Sequence, residues 1–102
     1  MARFDIYVNP NKSARHCYYV DLQSDFVRLN TRWCIPLFLY SPPAPIIHGA
    51  HALVQVRHQS CILDAPNLLA VPASLLRQPA GRLSSSEQLL SESCIEFMLR
   101  GY

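Results

Sequence analysis

The nineteen residues from Ser84 to Tyr102 constrain the fold most, because they carry the clearest helical signal in the chain. Ser84 and Glu87 have the spacing of a capping box, in which each side chain satisfies a backbone N–H that the first helical turn leaves unpaired. Leu90, Cys94, Phe97 and Met98 recur at i, i+4, i+7 and i+8 with Ile95 beside them, which predicts one apolar stripe. Glu92, Glu96 and Arg100 fall on the opposite face. Gly101 is suited to the left-handed conformation that closes many helices. A single amphipathic helix over 84–102 with an exposed tip is expected, and the preceding 83 residues must supply what it packs on.

Those residues read as short strands. Phe4, Ile6 and Val8 alternate with Asp5 and Tyr7, and Asn9-Pro10-Asn11-Lys12-Ser13 then breaks the pattern with turn chemistry. A second alternation sets Tyr18, Val20 and Leu22 against Cys17, Tyr19 and Asp21, so the two segments predict a hairpin. Phe26-Val27 follows Gln23-Ser24-Asp25; spacing alone favours a continuation of the sheet over an exposed apolar knuckle on a loop. Arg32 to Tyr40 is almost continuously apolar and predicts a central strand, with a bulge or an edge at Pro36, which has no N–H to donate. Ser41-Pro42-Pro43-Ala44-Pro45 predicts an extended surface loop. His51–Arg57 and Cys61–Asp64 predict a second hairpin across His58-Gln59-Ser60, and Leu68–Val71 a last strand. Ala73–Leu76 reads as a short helical turn and Arg77–Arg82 as a loop. Many short strands followed by one helix predict a small, strongly bent antiparallel sheet or barrel in one domain, 1–102.

Composition narrows the function more by exclusion than by indication. Half the residues are apolar and only 16% are charged, so part of the apolar surface is expected to be buried against a second chain. A net charge of +2 is too small to indicate nucleic acid, and Arg3, Arg15, Arg28 and Arg32 need no special explanation as a basic patch. No run is long enough to span a membrane, and the opening Met1-Ala2-Arg3-Phe4-Asp5 lacks a signal peptide's apolar core, so a cytoplasmic protein is expected. Cys17, Cys34, Cys61 and Cys94 each lie in apolar or alternating segments with no C-x-x-C pair, which predicts four reduced, at least partly buried thiols. His48-x-x-His51 follows a proline-rich stretch where a helix is disfavoured, so no metal is expected. There is no G-x-S-x-G elbow and no phosphate-cradling glycine loop. The neighbours His16 and Cys17 point to opposite faces of a strand and make a poor nucleophile–base pair. Neither a catalytic residue nor a cofactor is predicted.

Three stretches carry a more specific signal. Tyr19-Val20-Asp21-Leu22-Gln23-Ser24-Asp25, then Arg32-Trp33-Cys34-Ile35-Pro36-Leu37, then Leu69-Ala70-Val71-Pro72-Ala73-Ser74-Leu75 resemble the CcdB toxin family in residues, order and spacing. Phe4-Asp5-Ile6-Tyr7 and Ile95-Glu96-Phe97-Met98 agree more loosely, so the resemblance runs over nearly the whole chain and is weakest over about 39–66. It implies a mainly β fold, an SH3-like barrel of antiparallel strands (CcdB/MazF-like) over 1–83 with one C-terminal helix over 84–102, assembled as a symmetric homodimer. It implies the toxin of a toxin–antitoxin pair, a topoisomerase inhibitor that binds the DNA gyrase A subunit. A cognate antitoxin with a disordered C-terminal arm would neutralise it, and the two together would repress their operon, with operator DNA reached only through the antitoxin.

Residue by residue, the resemblance places gyrase contacts at Phe26 and Val27, after the Q-S-D motif, and at Glu96, Leu99, Arg100, Gly101 and Tyr102. Phe97 and Met98 end the apolar stripe and are expected in the dimer interface. Gly101 agrees with the family pattern. Arg100 stands where the family's best-known members carry a tryptophan that stacks between two gyrase subunits, and Glu96 and Tyr102 also differ from those members. Two other functions are open at this point. One is an mRNA interferase on the same barrel, with Arg15, His16 and Arg32 as its acid–base side chains. The other is a non-toxic co-repressor that binds antitoxin alone.

Overall fold

The computed structural model describes residues 2–102, so Met1, the first residue of the expected barrel segment, lies outside the described residues. Among them, the strands are β1 Asp5–Val8, β2 His16–Asp21, β3 Thr31–Leu39, β4 His51–Val56, β5 Gln59–Asp64, β6 Leu69–Pro72 and β7 Pro79–Arg82. Single-turn 3-10 helices at Ala65–Asn67 and Ala73–Leu75 flank β6, and α1 runs from Ser85 to Arg100. The strands form one antiparallel sheet in the order β4-β5-β3-β2-β1-β7, with β6 pairing the first half of β3. The architecture is mainly β, a sheet curled into a half-barrel with α1 packed on it, as expected.

The curl is fastened at its ends by side chains. Arg57, in the β4–β5 turn, donates to the Pro79 carbonyl of β7 at 3.0 Å and so bridges the two ends of the sheet. Glu87 has two tasks. One carboxylate oxygen completes the capping box by accepting from the Ser84 N–H, and the other accepts from the Gln55 N–H on the edge strand β4 at 2.9 Å. An edge N–H that would otherwise stay open is thereby covered by the helix.

Alternation along the strands fills two cores. Ile6, Val20, Ile35, Leu37, Val54, Cys61 and Leu63 face inward with Leu83 and Cys94. Tyr7, Cys34, Val71 and Leu76 make a smaller cluster on the other face. Tyr7, read from its spacing as lying on the polar side, is therefore buried, because Val71 and Leu76 return to cover that face.

Four local expectations change. Pro36 makes neither a bulge nor an edge in the β2–β3 ladder, where it pairs with Tyr19. On the other edge of β3, residues 31–34 pair with β6 and residues 37–39 with β5, so Pro36 sits where that edge changes partner. The β4–β5 turn is only Arg57-His58, both with positive φ. That geometry suits a two-residue hairpin but lacks the Asn-Gly signature that announces it. Residues 79–82, expected as loop, form β7 against β1; Pro79 opens this edge strand, where a missing N–H is tolerated. The buried line of α1 runs through Ser91 and Cys94 with Ile95 and Phe97 half-buried, whereas Leu90 and Met98 are 44% and 46% exposed. Leu90 lies about 100° around the helix from Ser91, on its flank. Ser91 tolerates full burial because its hydroxyl donates to the Gln88 carbonyl at 2.7 Å and leaves no orphan group.

Candidate functional site

The loop between β2 and β3 is built by the motif that precedes it. Asp21 ends β2 fully buried, and Arg32, also buried, meets it with Nε at 2.9 Å and a terminal guanidinium nitrogen at 2.7 Å. The other Asp21 oxygen accepts from the Gln23 N–H at 3.0 Å. Gln23 spans the loop: its Oε1 accepts from the Trp33 N–H at 3.1 Å and its Nε2 donates to the Val27 carbonyl at 3.0 Å. Ser24 closes a turn by accepting the Val27 N–H, while Asp25 accepts the Arg3 N–H at 2.9 Å. Burial works against the Arg32 charge, but hydrogen bonding and opposite charge from Asp21 and Asp25 outweigh it and raise its pKa. The product of this network is an apolar display. Phe26 is 97% exposed, with Val27 and Leu29 beside it. Phe26-Val27 is thus a turn on a clasped loop and does not continue the sheet, as spacing alone had favoured.

A second display lies at the end of α1. Gly101 takes φ +82° and donates to the Phe97 carbonyl at 2.7 Å, which closes the helix. Leu99 and Tyr102 are exposed, and Arg100 pairs with Glu96 at 2.8 Å across one turn. Phe97 is half-buried against Gly49 of its own chain, whereas Met98 is open.

Arg3 connects the two displays, and no sequence signal pointed to it. Its backbone N–H holds Asp25, its Nε donates to the Leu22 carbonyl at 2.9 Å, and its guanidinium reaches Glu92 of α1 at 3.9 Å. Between loop and helix lies a groove of about 280 Å³, walled by Leu22, Trp33, Leu68, Ile95 and Leu99. Trp33 is more than half exposed there, although β3 reads as a buried strand. The structure therefore sets the root of the Phe26 loop and the helix residues Glu96 and Leu99 on one shared groove.

Of the acid–base residues considered for RNA cleavage, Arg15 and His16 both neighbour the Phe38 ring, and Arg32 lies apart from them. Arg32 is engaged by Asp21 at the end of β2, while His16 begins the same strand, about 16 Å away at strand rise. His16 and His51 both meet the buried carboxylate of Asp64, at 2.8 and 2.9 Å, and Asn67 adds a third contact at 2.7 Å. Burial would raise the Asp64 pKa, but these hydrogen bonds outweigh it and hold the carboxyl below the usual range. Arg15 lies over the Phe38 ring at 4.1 Å. Among the described residues no His, Cys, Asp and Glu cluster could hold a metal ion, all four cysteines are free, and no helix is long and apolar enough to cross a membrane.

Compared with known families, residues 3–101 match the CcdB protein family. The chain belongs to that family. The match takes in the clasped loop, β3, β6 and α1 in one span and supports a CcdB-type toxin. No individual curated protein matches the chain. For a CcdB-family chain the buried Asp21–Arg32 pair gives the V-D-x-Q-S-D and R-W motifs a physical meaning: they hold Phe26 and Val27 in the open.

Proposed function

We propose that this protein is a CcdB-type toxin that acts by binding, with no catalytic residue. As a homodimer in the cytoplasm, it engages the DNA gyrase A subunit through Phe26, Val27 and the end of α1, Glu96 and Leu99 to Tyr102. A cognate antitoxin wraps the dimer through a disordered arm, and the two together repress their operon, a pairing suited to plasmid maintenance. The observation that carries this reading is the exposure of Phe26 on a loop whose base is a buried ion pair. Rigid presentation of an apolar residue lowers the ordering cost of a partner contact. Family membership supports the toxin class. The dimer is supported by open apolar groups at Trp33, Leu68 and Leu99 around one groove and by Met98 elsewhere on the helix end, more than a soluble monomer of sparse charge would leave uncovered.

The experiment is a titration of the protein against a gyrase A-subunit fragment, with a DNA-cleavage assay alongside. Phe26→Ala should remove binding while leaving the unfolding midpoint in place. Equal binding by wild type and Phe26→Ala would overturn the loop's role. Absent gyrase binding with retained antitoxin binding would leave the co-repressor.

A further inference from the structure

Phe97 is the one large side chain of the last turn of α1 that is half-buried within its own chain, and its seat is a glycine. Gly49 has φ +89°, and a β-carbon there would stand 2.7 Å from Phe97 Cδ2. Both the conformation and the contact therefore call for glycine. The turn that carries it is tied at every corner. The Ile47 carbonyl accepts the N–H groups of Ala50 and His51, and the Ile47 N–H donates to His51 Nδ1 at 2.8 Å. A backbone amide can only donate, so Nδ1 is unprotonated and the ring proton sits on Nε2, which donates to Asp64 Oδ1 at 2.9 Å. Asp64 is in turn fixed by His16 and Asn67. At the other end of this chain of contacts, the Phe97 carbonyl accepts the Gly101 N–H that closes the helix.

We propose that the Ile47–His51 turn, clamped by Asp64, is the seat that sets the pose of the end of α1, with Gly49 and His51 as positioning residues for Leu99 to Tyr102. The importance of that pose for a partner rests on the gyrase reading above; the seat itself does not. A helix end otherwise frays within its last turn, and the aromatic ring held at Gly49 is what opposes this here.

The test is amide hydrogen exchange, read residue by residue on the full chain, for wild type, Gly49→Ala, Phe97→Leu, their double variant and His51→Gln. Gly49→Ala should speed exchange at Gly101 by about tenfold or more as the last turn opens locally, while the β2–β3 ladder keeps its protection. Phe97→Leu in the same chain should recover most of that protection, because the smaller side chain makes room for the new methyl. This recovery separates the contact from the strain of alanine at positive φ. His51→Gln keeps a donor for Asp64 but has no acceptor at the position of Nδ1 to hold the Ile47 N–H, and should speed exchange at Ile47 and Gly101 together. Unchanged Gly101 exchange in both Gly49→Ala and His51→Gln would overturn the seat, as would an equal loss of protection over the whole barrel in both. Gyrase-fragment titration is the second arm. If wild type binds, undiminished affinity in Gly49→Ala would overturn the positioning role for the partner. If wild type does not bind, the gyrase reading fails, and the exchange data alone decide the seat.

Discussion

Asp21→Asn is the sharpest perturbation of the loop that presents Phe26. The change keeps the side chain's shape and removes one charge from a fully buried site. Arg32, 8% exposed in its side chain, then loses both close contacts to a carboxylate and keeps the Gln23 carbonyl at 3.1 Å and, as its one remaining carboxylate, Asp25 at 3.4 Å and half exposed. Breaking a buried ion pair by neutralising one partner costs about 3–5 kcal/mol, because the remaining charge stays out of water. The partial compensation by Asp25 puts this case near the lower end, about 3 kcal/mol. For a domain of this size each kcal/mol moves the thermal midpoint by about 4–8 °C, so a fall of more than ten degrees is expected. Chemical denaturation of wild type, Asp21→Asn, Arg32→Met and the double variant completes the cycle. The double variant should be less destabilised than the sum of the singles, since it leaves no orphaned charge. A loss below about 1 kcal/mol in Asp21→Asn would mean that water reaches the pair as it does a surface salt bridge, and the clasp argument would fail.

The remaining expectations are briefer. Asp64 has its folded-state pKa lowered, so its contribution is present above the unfolded value of about 3.9 and is lost as pH falls through the lower folded value. Acid unfolding followed by circular dichroism should therefore show a component below about pH 4 that Asp64→Asn lacks, and identical acid profiles would refute it. Burial pushes the Cys34 thiol up to about 12 and Cys61 to about 11. Alkylation at neutral pH should therefore spare both until denaturant is added, and rapid labelling of all four thiols in the native protein would contradict this. Met98→Asp should place a charge in the proposed dimer contact and release monomers, as measured by light scattering; a monomeric wild type at micromolar concentration would remove the dimer. Arg100→Trp restores the residue that the family's best-known members carry. It should strengthen binding to a gyrase A-subunit fragment and cost only a few tenths of a kcal/mol from the lost pair with Glu96. Nanomolar binding by the unmutated chain would show that Arg100 is no obstacle.

What was legible in the chain was whatever depends on neighbours in sequence. The α1 cap at Ser84 and Glu87, its closure at Gly101 and the Glu96–Arg100 pair are contacts of one helical turn, so spacing alone determined them. Alternation placed most strands for the same reason. The family-like motifs marked Phe26 and Val27, while their local pattern favoured the wrong conformation: two apolar residues between polar ones look alike on a strand and on a turn. Only the tertiary structure decided that turn, because the groups holding it come from Asp21, Arg32 and Arg3, up to 22 residues away. The same holds for β7, whose proline and glycine read as loop until β1 supplies an edge to pair with. Leu90 and Trp33 looked like core because they are apolar, yet burial depends on which surface the fold brings opposite them. Gly49 carried no local signal at all, since the reason for a glycine there is the ring of Phe97, 48 residues further on.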